Sequence, residues 1–173
     1  MLPLPTHLKD TLIVDESKFD GHSLDGAIRC ACGCEEIRLR FYGEDRGDFL
    51  RVKKYQDDYG LRISGVCSRC GKSHELFDMA KHGYNGFVCG DGRPVADSDL
   101  EGYRCHGCGG SGFSVEMGIE LEDLEQFIEE VVDYEPEKYR PEDYVDAFDW
   151  VTISLKCKGC GKSLENWVNF ETS

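Results

Sequence analysis

This sequence lacks the long apolar run of a membrane span and the apolar leader of a secreted protein. No segment approaches about eighteen consecutive apolar residues. The N-terminal stretch MLPLPTHLKDTLIVDES has no basic start followed by an apolar run. We therefore expect a cytoplasmic protein in a reducing compartment, with no membrane as a partner. Disulfide frameworks are rare there, and clustered cysteines more often hold a metal ion.

The motifs of zinc-dependent enzymes are also missing. His74 and Glu75 in SHELF could begin the motif H-E-x-x-H, but its second histidine is missing. The H-x-E and P-C-x-x-C pattern of zinc deaminases does not occur. The C-x-x-C pairs adjoin strand-like runs and do not open helices, which argues against a thioredoxin-like redox motif. The sequence therefore predicts that the protein is not an enzyme.

Cysteine, by contrast, is abundant, with ten copies, and six of them form C-x-x-C-G turns that we call knuckles. These knuckles read CSRCG, CHGCG and CKGCG, and their pairs are Cys67 with Cys70, Cys105 with Cys108, and Cys157 with Cys160. Such a turn directs two thiolates at one ion about 2.3 Å away, and the following glycine lets the chain fold back beneath the ion. Alternating apolar runs flank the knuckles, which predicts zinc knuckles at the tips of hairpins.

A fourth knuckle, CACGCEE, is shorter by one residue. Aligning all four on the glycine places Cys32 and Gly33 on Cys70 and Gly71, so Cys30 is the first ligand of this knuckle. Cys34 then becomes the extra cysteine, which we expect to pack as a small apolar residue. Spacing alone leaves a pairing of Cys30 with Cys34 open.

The knuckles also form a repeat. Cys32 and Cys70 are 38 residues apart, as are Cys70 and Cys108, whereas the step to Cys160 is 52 residues, which is longer by 14. A closed structural site needs four ligands, so two knuckles should share each ion, and neighbours in sequence pair most often. Crossed or nested pairing stays open. The expected ligands of two structural Zn²⁺ ions are Cys30, Cys32, Cys67 and Cys70 for the first, and Cys105, Cys108, Cys157 and Cys160 for the second.

Two successive knuckles on hairpins resemble the zinc ribbon, here twice, over residues 27 to 80 and 103 to 171. The resemblance implies a small, metal-stabilised, β-rich α+β fold built of two zinc-ribbon units of antiparallel hairpins. The predicted organisation is an N-terminal extension at 1–26, a first ribbon at 27–88, a linker at 89–102 and a second ribbon at 103–173. Zinc ribbons bind nucleic acid, dock proteins or only stabilise a fold, so the resemblance implies no single role.

The extra length of the second ribbon carries an acidic amphipathic helix. In LEDLEQFIEEVV, residues 121–132, the apolar positions share one face at helical spacing; they are Leu121, Leu124, Phe127, Ile128, Val131 and Val132. A second short helix is expected from Pro141, because proline suits a first helical turn. The predicted helical insertion spans 121–148.

The charge distribution is lopsided. Residues 116–149 hold fourteen acids against Lys138 and Arg140, a balance of −12, whereas residues 37–72 hold nine bases and five acids, a balance of +4. The whole chain carries −14, and two zinc–tetrathiolate sites bring it to about −18. This net charge disfavours nucleic acid as the main partner.

We therefore expect an adaptor or inhibitor-like module whose acidic helix meets a basic protein. The alternative is a nucleic-acid- or transcription-associated ribbon that uses the basic strands of the first half. Its candidate contacts are Arg38, Arg40, Arg51, Lys53 and Tyr55.

Two features have no assigned role. Cys89 has no cysteine or histidine at knuckle spacing, and we expect a buried or half-buried free thiol. The loop around His82, Tyr84 and Phe87 either forms a recognition surface or covers the small core of the first ribbon, and the second alternative is favoured.

Overall fold

A nine-stranded antiparallel sheet contains strands from both halves of the chain, and two short hairpins accompany it. The structure is a computed structural model that describes residues 1–173. Its strands are β1 (Leu12–Val14), β2 (Ser23–Ile28), β3 (Ile37–Tyr42), β4 (Glu44–Asp45), β5 (Leu50–Arg51), β6 (Lys53–Tyr55), β7 (Asp58–Gly60), β8 (Arg62–Cys67), β9 (Ser73–Asp78), β10 (Glu101–Gly102), β11 (Gly112–Glu120), β12 (Trp150–Cys157) and β13 (Ser163–Glu171).

Helical structure is sparse. A single α-helical turn, α1 (Leu124–Phe127), continues directly as a π-helical turn over Ile128–Val132. A second π-helical turn spans Tyr84–Val88, and the 3₁₀ turns are Thr6–Leu8, Glu16–Lys18, Asp97–Asp99 and Pro141–Val145. None of these helices has the length and apolar character needed to cross a bilayer. The β-rich class expected from the sequence is confirmed.

Strand β11 joins the two halves of the molecule. Along one edge it pairs with β12 from Phe113 to Glu120. Its other edge is shared, since β2 pairs with residues 116–120 and β3 with Gly112 and Phe113. The knuckle-bearing strands of both halves therefore lie in one sheet. The linker predicted at 89–102 between two folding units stays a prediction.

The core follows the alternation of the strands. In β3, Ile37, Leu39 and Phe41 are buried while Arg38 is exposed, as the period of two for a half-buried strand requires. A cluster of 26 buried residues draws on both halves and on the N-terminal extension, which contributes Leu8, Leu12 and Leu24. Trp167 is fully buried near its centre, and its ring centroid lies 4.7 Å from that of Tyr103.

The insertion packs in a second, smaller cluster. Its buried members are Phe127, Val131, Tyr139 and Ala147, with Tyr84, Phe87 and Val88 packed against them. The Tyr139 hydroxyl donates to the carbonyl of Val88 at 3.2 Å. The aromatic residues after His82 therefore cover the insertion, and the expectation that they cover the core of the first ribbon is wrong.

The predicted single apolar face of 121–132 is also wrong. Asp123 caps the helix by accepting a hydrogen bond from the Gln126 N–H, so α1 begins at Leu124 instead of Leu121. After one turn the backbone widens to π-helical spacing, which breaks the i, i+3, i+4 register. Leu121, which precedes the helix, lies in the main core, and Leu124 at its first position is 41% exposed.

Candidate metal centres

Each full-length knuckle is a closed turn between two strands. In the second knuckle the Gly71 N–H donates to the Cys67 carbonyl and the Cys67 N–H donates to the Lys72 carbonyl, both at 2.9 Å. Gly71 has φ of +73°, a left-handed conformation that glycine adopts without strain. The third and fourth knuckles repeat both hydrogen bonds, at Gly109, Cys105 and Gly110, and at Gly161, Cys157 and Lys162.

The shortened first knuckle closes in the same way. The Gly33 N–H donates to the Cys30 carbonyl at 2.8 Å, and the Cys30 N–H donates to the Cys34 carbonyl at 2.9 Å. Cys34 therefore takes the backbone position of Lys72, as the glycine alignment predicts. Its thiol points elsewhere and lies 3.6 Å from the hydroxyl oxygen of Ser68.

The eight knuckle cysteines gather into two groups of four, in the sequential pairing that the sequence favours. Within each group the sulfur atoms all lie within 4.8 Å of one another. Sulfur–sulfur separations are 3.5 Å for Cys30 with Cys70 and for Cys32 with Cys67, and 3.6 Å for Cys105 with Cys160 and for Cys108 with Cys157. We refer to Cys30, Cys32, Cys67 and Cys70 as the first cluster, and to Cys105, Cys108, Cys157 and Cys160 as the second cluster.

These separations fit a tetrahedral metal site. A tetrahedron with metal–sulfur bonds of about 2.3 Å has sulfur–sulfur edges of about 3.8 Å. A disulfide would require about 2.05 Å, so the sulfurs are placed as separate ligands. Each cluster is therefore compatible with one structural metal ion held by four cysteines.

Backbone N–H groups point at sulfur in the second cluster. Gly107 donates to the Cys105 Sγ at 3.3 Å, and Gly110 donates to the Cys108 Sγ at 3.4 Å. The N–H groups of Cys108 and Gly107 lower the pKa of Cys105 to about 6. Because metals bind the thiolate, this arrangement prepares the sulfur for coordination.

Cys89 and His106 stay outside both clusters. Cys89 is exposed, so the expectation of a buried or half-buried thiol is wrong. It lies just after a turn whose apolar side chains pack on the insertion, which leaves Cys89 itself facing solvent. His106 sits inside the third knuckle, but its Nε2 atom lies 2.9 Å from the Asp45 carboxylate.

The basic residues of the first half are dispersed. Arg38 and Arg40 line a cavity on the outer side of β3, the Lys53 ammonium lies 5.0 Å above the Tyr42 ring, and the Arg93 guanidinium lies 3.8 Å above the Tyr55 ring. Arg62 contributes little to the surface charge, because it is 9% exposed. Its guanidinium pairs with Glu75 and with Asp97, each at 2.8 Å.

The acidic residues of 116–149 are mostly exposed and unneutralised. Only Glu135 forms a salt bridge, with Lys138 at 3.3 Å, which leaves thirteen of the fourteen acids without one. Asp143, Asp146 and Asp149 are half-buried, and Glu122 is buried, with only 7% of it accessible. Burial and the neighbouring Asp149 carboxylate raise the pKa of Glu122 to about 7.

No protein-family model, curated protein or solved structure matches this chain.

Proposed function

We propose that the protein is a non-catalytic scaffold stabilised by two zinc ions, which presents an acidic surface to a basic protein partner. In this proposal each cluster is a zinc-ribbon-like site, in which two knuckles contribute two cysteines each. Zinc suits four thiolates in a tetrahedron better than magnesium or calcium, which prefer oxygen ligands. Four thiolates also fill the tetrahedral positions, which leaves no position for the water of a catalytic zinc.

The acidic surface carries the proposal. We define it as the exposed acids of residues 123–137, which are Asp123, Glu125, Glu129, Glu130, Asp133, Glu135 and Glu137. Lys138 is the only cation of the chain that pairs with them. Unpaired charge on one face speeds the encounter with a partner of opposite sign and disfavours partners of like sign.

Two exposed apolar side chains lie among these acids. Tyr134 is 83% exposed and Leu124 is 41% exposed. Tyrosine is enriched among the residues that contribute most to protein interfaces, because its ring brings a large contact area and a hydroxyl. The exposed acids Asp133 and Glu135 flank Tyr134 in the sequence, and Tyr134 is the anchor that we propose for a basic protein.

Metal content is the first test. The purified protein, never exposed to chelator, should contain two zinc ions per chain by native mass spectrometry and elemental analysis. Each cluster supports this stoichiometry with four sulfurs within 4.8 Å of one another. A single ion, or a metal other than zinc, would contradict the scaffold as proposed.

Charge reversal tests the acidic surface. Glu125, Glu129 and Asp133 are exposed, so replacing all three by lysine should leave the fold intact. The matched control replaces Asp10, Glu16 and Glu165, which are also exposed, and changes the net charge equally. In affinity purification from the native host, a basic protein held by wild type and by the control should be lost from the first variant. If both variants lose the basic protein equally, net charge alone causes the loss, and a defined docking surface is contradicted.

The nucleic-acid alternative is favoured by one observation, the position of Arg38 and Arg40 beside a common cavity. Binding of single-stranded DNA or RNA that weakens steeply with salt would support it. Under that alternative, replacing Arg38 and Arg40 by glutamate should abolish binding, whereas the acidic-surface reversal should strengthen it by removing repulsion.

A further inference from the structure

A break in the sheet creates a cavity beside β3. The edge of β3 opposite β8 is shared by two strands, because β10 pairs with Arg40 and Phe41 while β11 pairs with Ile37 and Arg38. Between these pairings the chain leaves the sheet to form the third knuckle, residues 105–109. The gap forms a cavity of about 350 Å³ that is open to solvent.

Three arginines line this cavity, and no carboxylate does. Arg38 and Arg40 come from β3, Arg104 comes from the segment before the third knuckle, and Ser111 adds a hydroxyl; the other lining residues are Leu39, Val66, Gly102 and Tyr103. We call the site the arginine cavity. The sequence did not single out Arg104 or Ser111, because their approach to β3 depends on how β10 and β11 share one edge.

The guanidinium groups of the arginine cavity have no anionic partner within the protein. Arg40 donates to the backbone carbonyl of Asp97 at 2.8 Å, and Arg104 donates to that of Gly109 at 3.3 Å. None of the salt bridges of the chain involves Arg38, Arg40 or Arg104. This is notable in a chain with a net charge of −14, where carboxylates are plentiful.

We infer that the arginine cavity binds a phosphate monoester, with the dianionic phosphate group held by the three guanidiniums. Arginine presents several N–H donors in a planar fork that matches phosphate oxygens, and such charge-assisted hydrogen bonds are stronger than neutral ones. The Ser111 hydroxyl can donate one more hydrogen bond. The cavity is also large enough for the phosphate and part of its attached group, since one water takes about 30 Å³.

A phosphate monoester fits this site better than single-stranded nucleic acid. Nucleic-acid grooves combine cations with exposed aromatic faces on which bases stack. The only aromatic residue that lines the arginine cavity is Tyr103, and it is 2% exposed. The site therefore offers charge for a phosphate group without a surface for a base.

A competing explanation is that these arginines only offset the charge of the metal centres. Arg104 immediately precedes Cys105, and each zinc–tetrathiolate site would carry about −2. The competing explanation predicts that arginine variants lose metal, whereas a phosphate site predicts unchanged metal content. Metal content is therefore measured alongside phosphate binding.

The test is calorimetric titration of the full chain with phosphoserine, in a buffer free of phosphate and at fixed ionic strength. Inorganic phosphate and a short single-stranded oligonucleotide are titrated in parallel. The test variant carries Arg38→Gln and Arg104→Gln. The control carries Arg46→Gln and Arg51→Gln, which removes two exposed guanidiniums of the β4–β5 region and gives the same change in net charge.

We expect wild type and the control to bind phosphoserine and inorganic phosphate, and the test variant to bind each at least about tenfold more weakly with its metal content unchanged. Three results would overturn the inference. One is no phosphate binding by wild type; another is equal weakening in the control. The third is binding of the oligonucleotide alone, which would assign the cavity to a nucleic-acid backbone. Loss of metal from the test variant, together with no phosphate binding by wild type, would assign the arginines to the metal centres.

Discussion

The two halves of the molecule reach the same four-sulfur geometry from different sequences. The first cluster contains a knuckle one residue shorter than the others, whereas both knuckles of the second cluster have full length. The hydrogen bonds that close each knuckle involve only the first cysteine, the glycine and the residue after it. One residue between the cysteines can therefore be deleted without loss of the closed turn.

The surroundings of the two clusters differ much more than the clusters themselves. The second half carries the acidic insertion, with a balance of −12 over 116–149, and residues 37–72 of the first half carry +4. Yet β3 of the first half and β11 of the second half pair in one sheet. The halves are thus distinct in charge but continuous in structure, and the predictions below test how far each description holds.

The largest expected effect follows from removing one metal ligand. Cys32→Ser should release the first ion and Cys157→Ser the second, and each should destabilise the protein by an amount on the order of 10 kcal/mol, the binding energy of a structural zinc. Because both halves share one sheet and one core, hydrogen exchange should increase in both halves for either variant. Metal analysis should give one ion per chain.

Cys34→Ser is the matched control for this prediction. The Cys34 thiol lies outside the first cluster, and its backbone carbonyl, which closes the knuckle, is unaffected by the substitution. Both metal ions should remain and stability should change little. If Cys34→Ser loses metal, or if Cys32→Ser leaves the second half fully protected from exchange, then the ligand assignment or the shared folding unit is wrong.

The two four-cysteine clusters were largely predictable because their signal is local. A cysteine pair, a glycine and a tight turn lie within five residues. The spacing of 38 residues indicates that the same knuckle-bearing unit recurs along the chain. The sharing of β11 between β2 and β3 has no such signal, since the register of distant strands depends on packing across the whole sheet. The arginine cavity is a consequence of that sharing, and for this reason sequence reasoning missed Arg104.

One contact joins the N-terminal extension, the first half and the second half. The rings of His7 and His82 stack with their centroids 3.6 Å apart, and Asp146 of the insertion accepts a hydrogen bond from the Thr6 hydroxyl. Burial lowers the pKa of His82 to about 2, with His7, Lys81 and Arg62 adding to the shift. Burial also lowers the pKa of His7, against the opposing effects of its hydrogen bond to Leu76 and of Asp146.

Both histidines are therefore neutral in the folded state at pH values where the unfolded chain protonates them. Stability should fall as the pH drops below about 6.5, with a slope that approaches about 1.4 kcal/mol per pH unit for each proton. Chemical unfolding of His7→Gln/His82→Gln should show a flatter dependence. The exposed His22→Gln is the control and should leave the slope unchanged; a slope equal in all three proteins would contradict the role of the stacked pair.

A smaller effect with the opposite pH dependence is expected in the second half. Glu122 is buried beside Asp149, and its pKa of about 7 lies above its ordinary value of 4.5. The folded protein therefore holds the proton more tightly than the unfolded chain, so this carboxyl lowers stability as the pH rises from 4.5 to about 7. Glu122→Gln should abolish that loss and should be more stable than wild type by about 1 kcal/mol at high pH, allowing for solvent screening.

The control for Glu122→Gln is Glu125→Gln, because Glu125 is exposed on the same segment. It should change stability little at any pH. An equal gain from both substitutions would indicate relief of general repulsion among the acids of the insertion, not release of one buried carboxyl. The burial of Glu122 could not be foreseen, because it follows from the late start of α1 at Leu124.

The smallest expected effect compares the two clusters directly. Each has two buried and two exposed cysteines, so accessibility alone predicts equal rates of metal loss to a chelator. Backbone N–H groups lower the pKa of a ligand cysteine in both clusters, Cys67 in the first and Cys105 in the second. Only the second cluster, however, has N–H groups in full hydrogen-bond geometry with sulfur, those of Gly107 and Gly110, which stabilise thiolate charge. We therefore expect the first cluster to lose its ion several-fold faster, detected as earlier alkylation of Cys32 and Cys70 than of Cys108 and Cys160. Gly107→Pro removes one of these donors and should narrow the difference in the rate of metal loss between the clusters. Gly107→Ala keeps the N–H and should preserve that difference. Its methyl group would lie at an ordinary contact distance of 3.5 Å from the nearest atom. If Gly107→Ala narrows the difference as much as Gly107→Pro, the cause is the conformation of the third knuckle and not the hydrogen bond to sulfur.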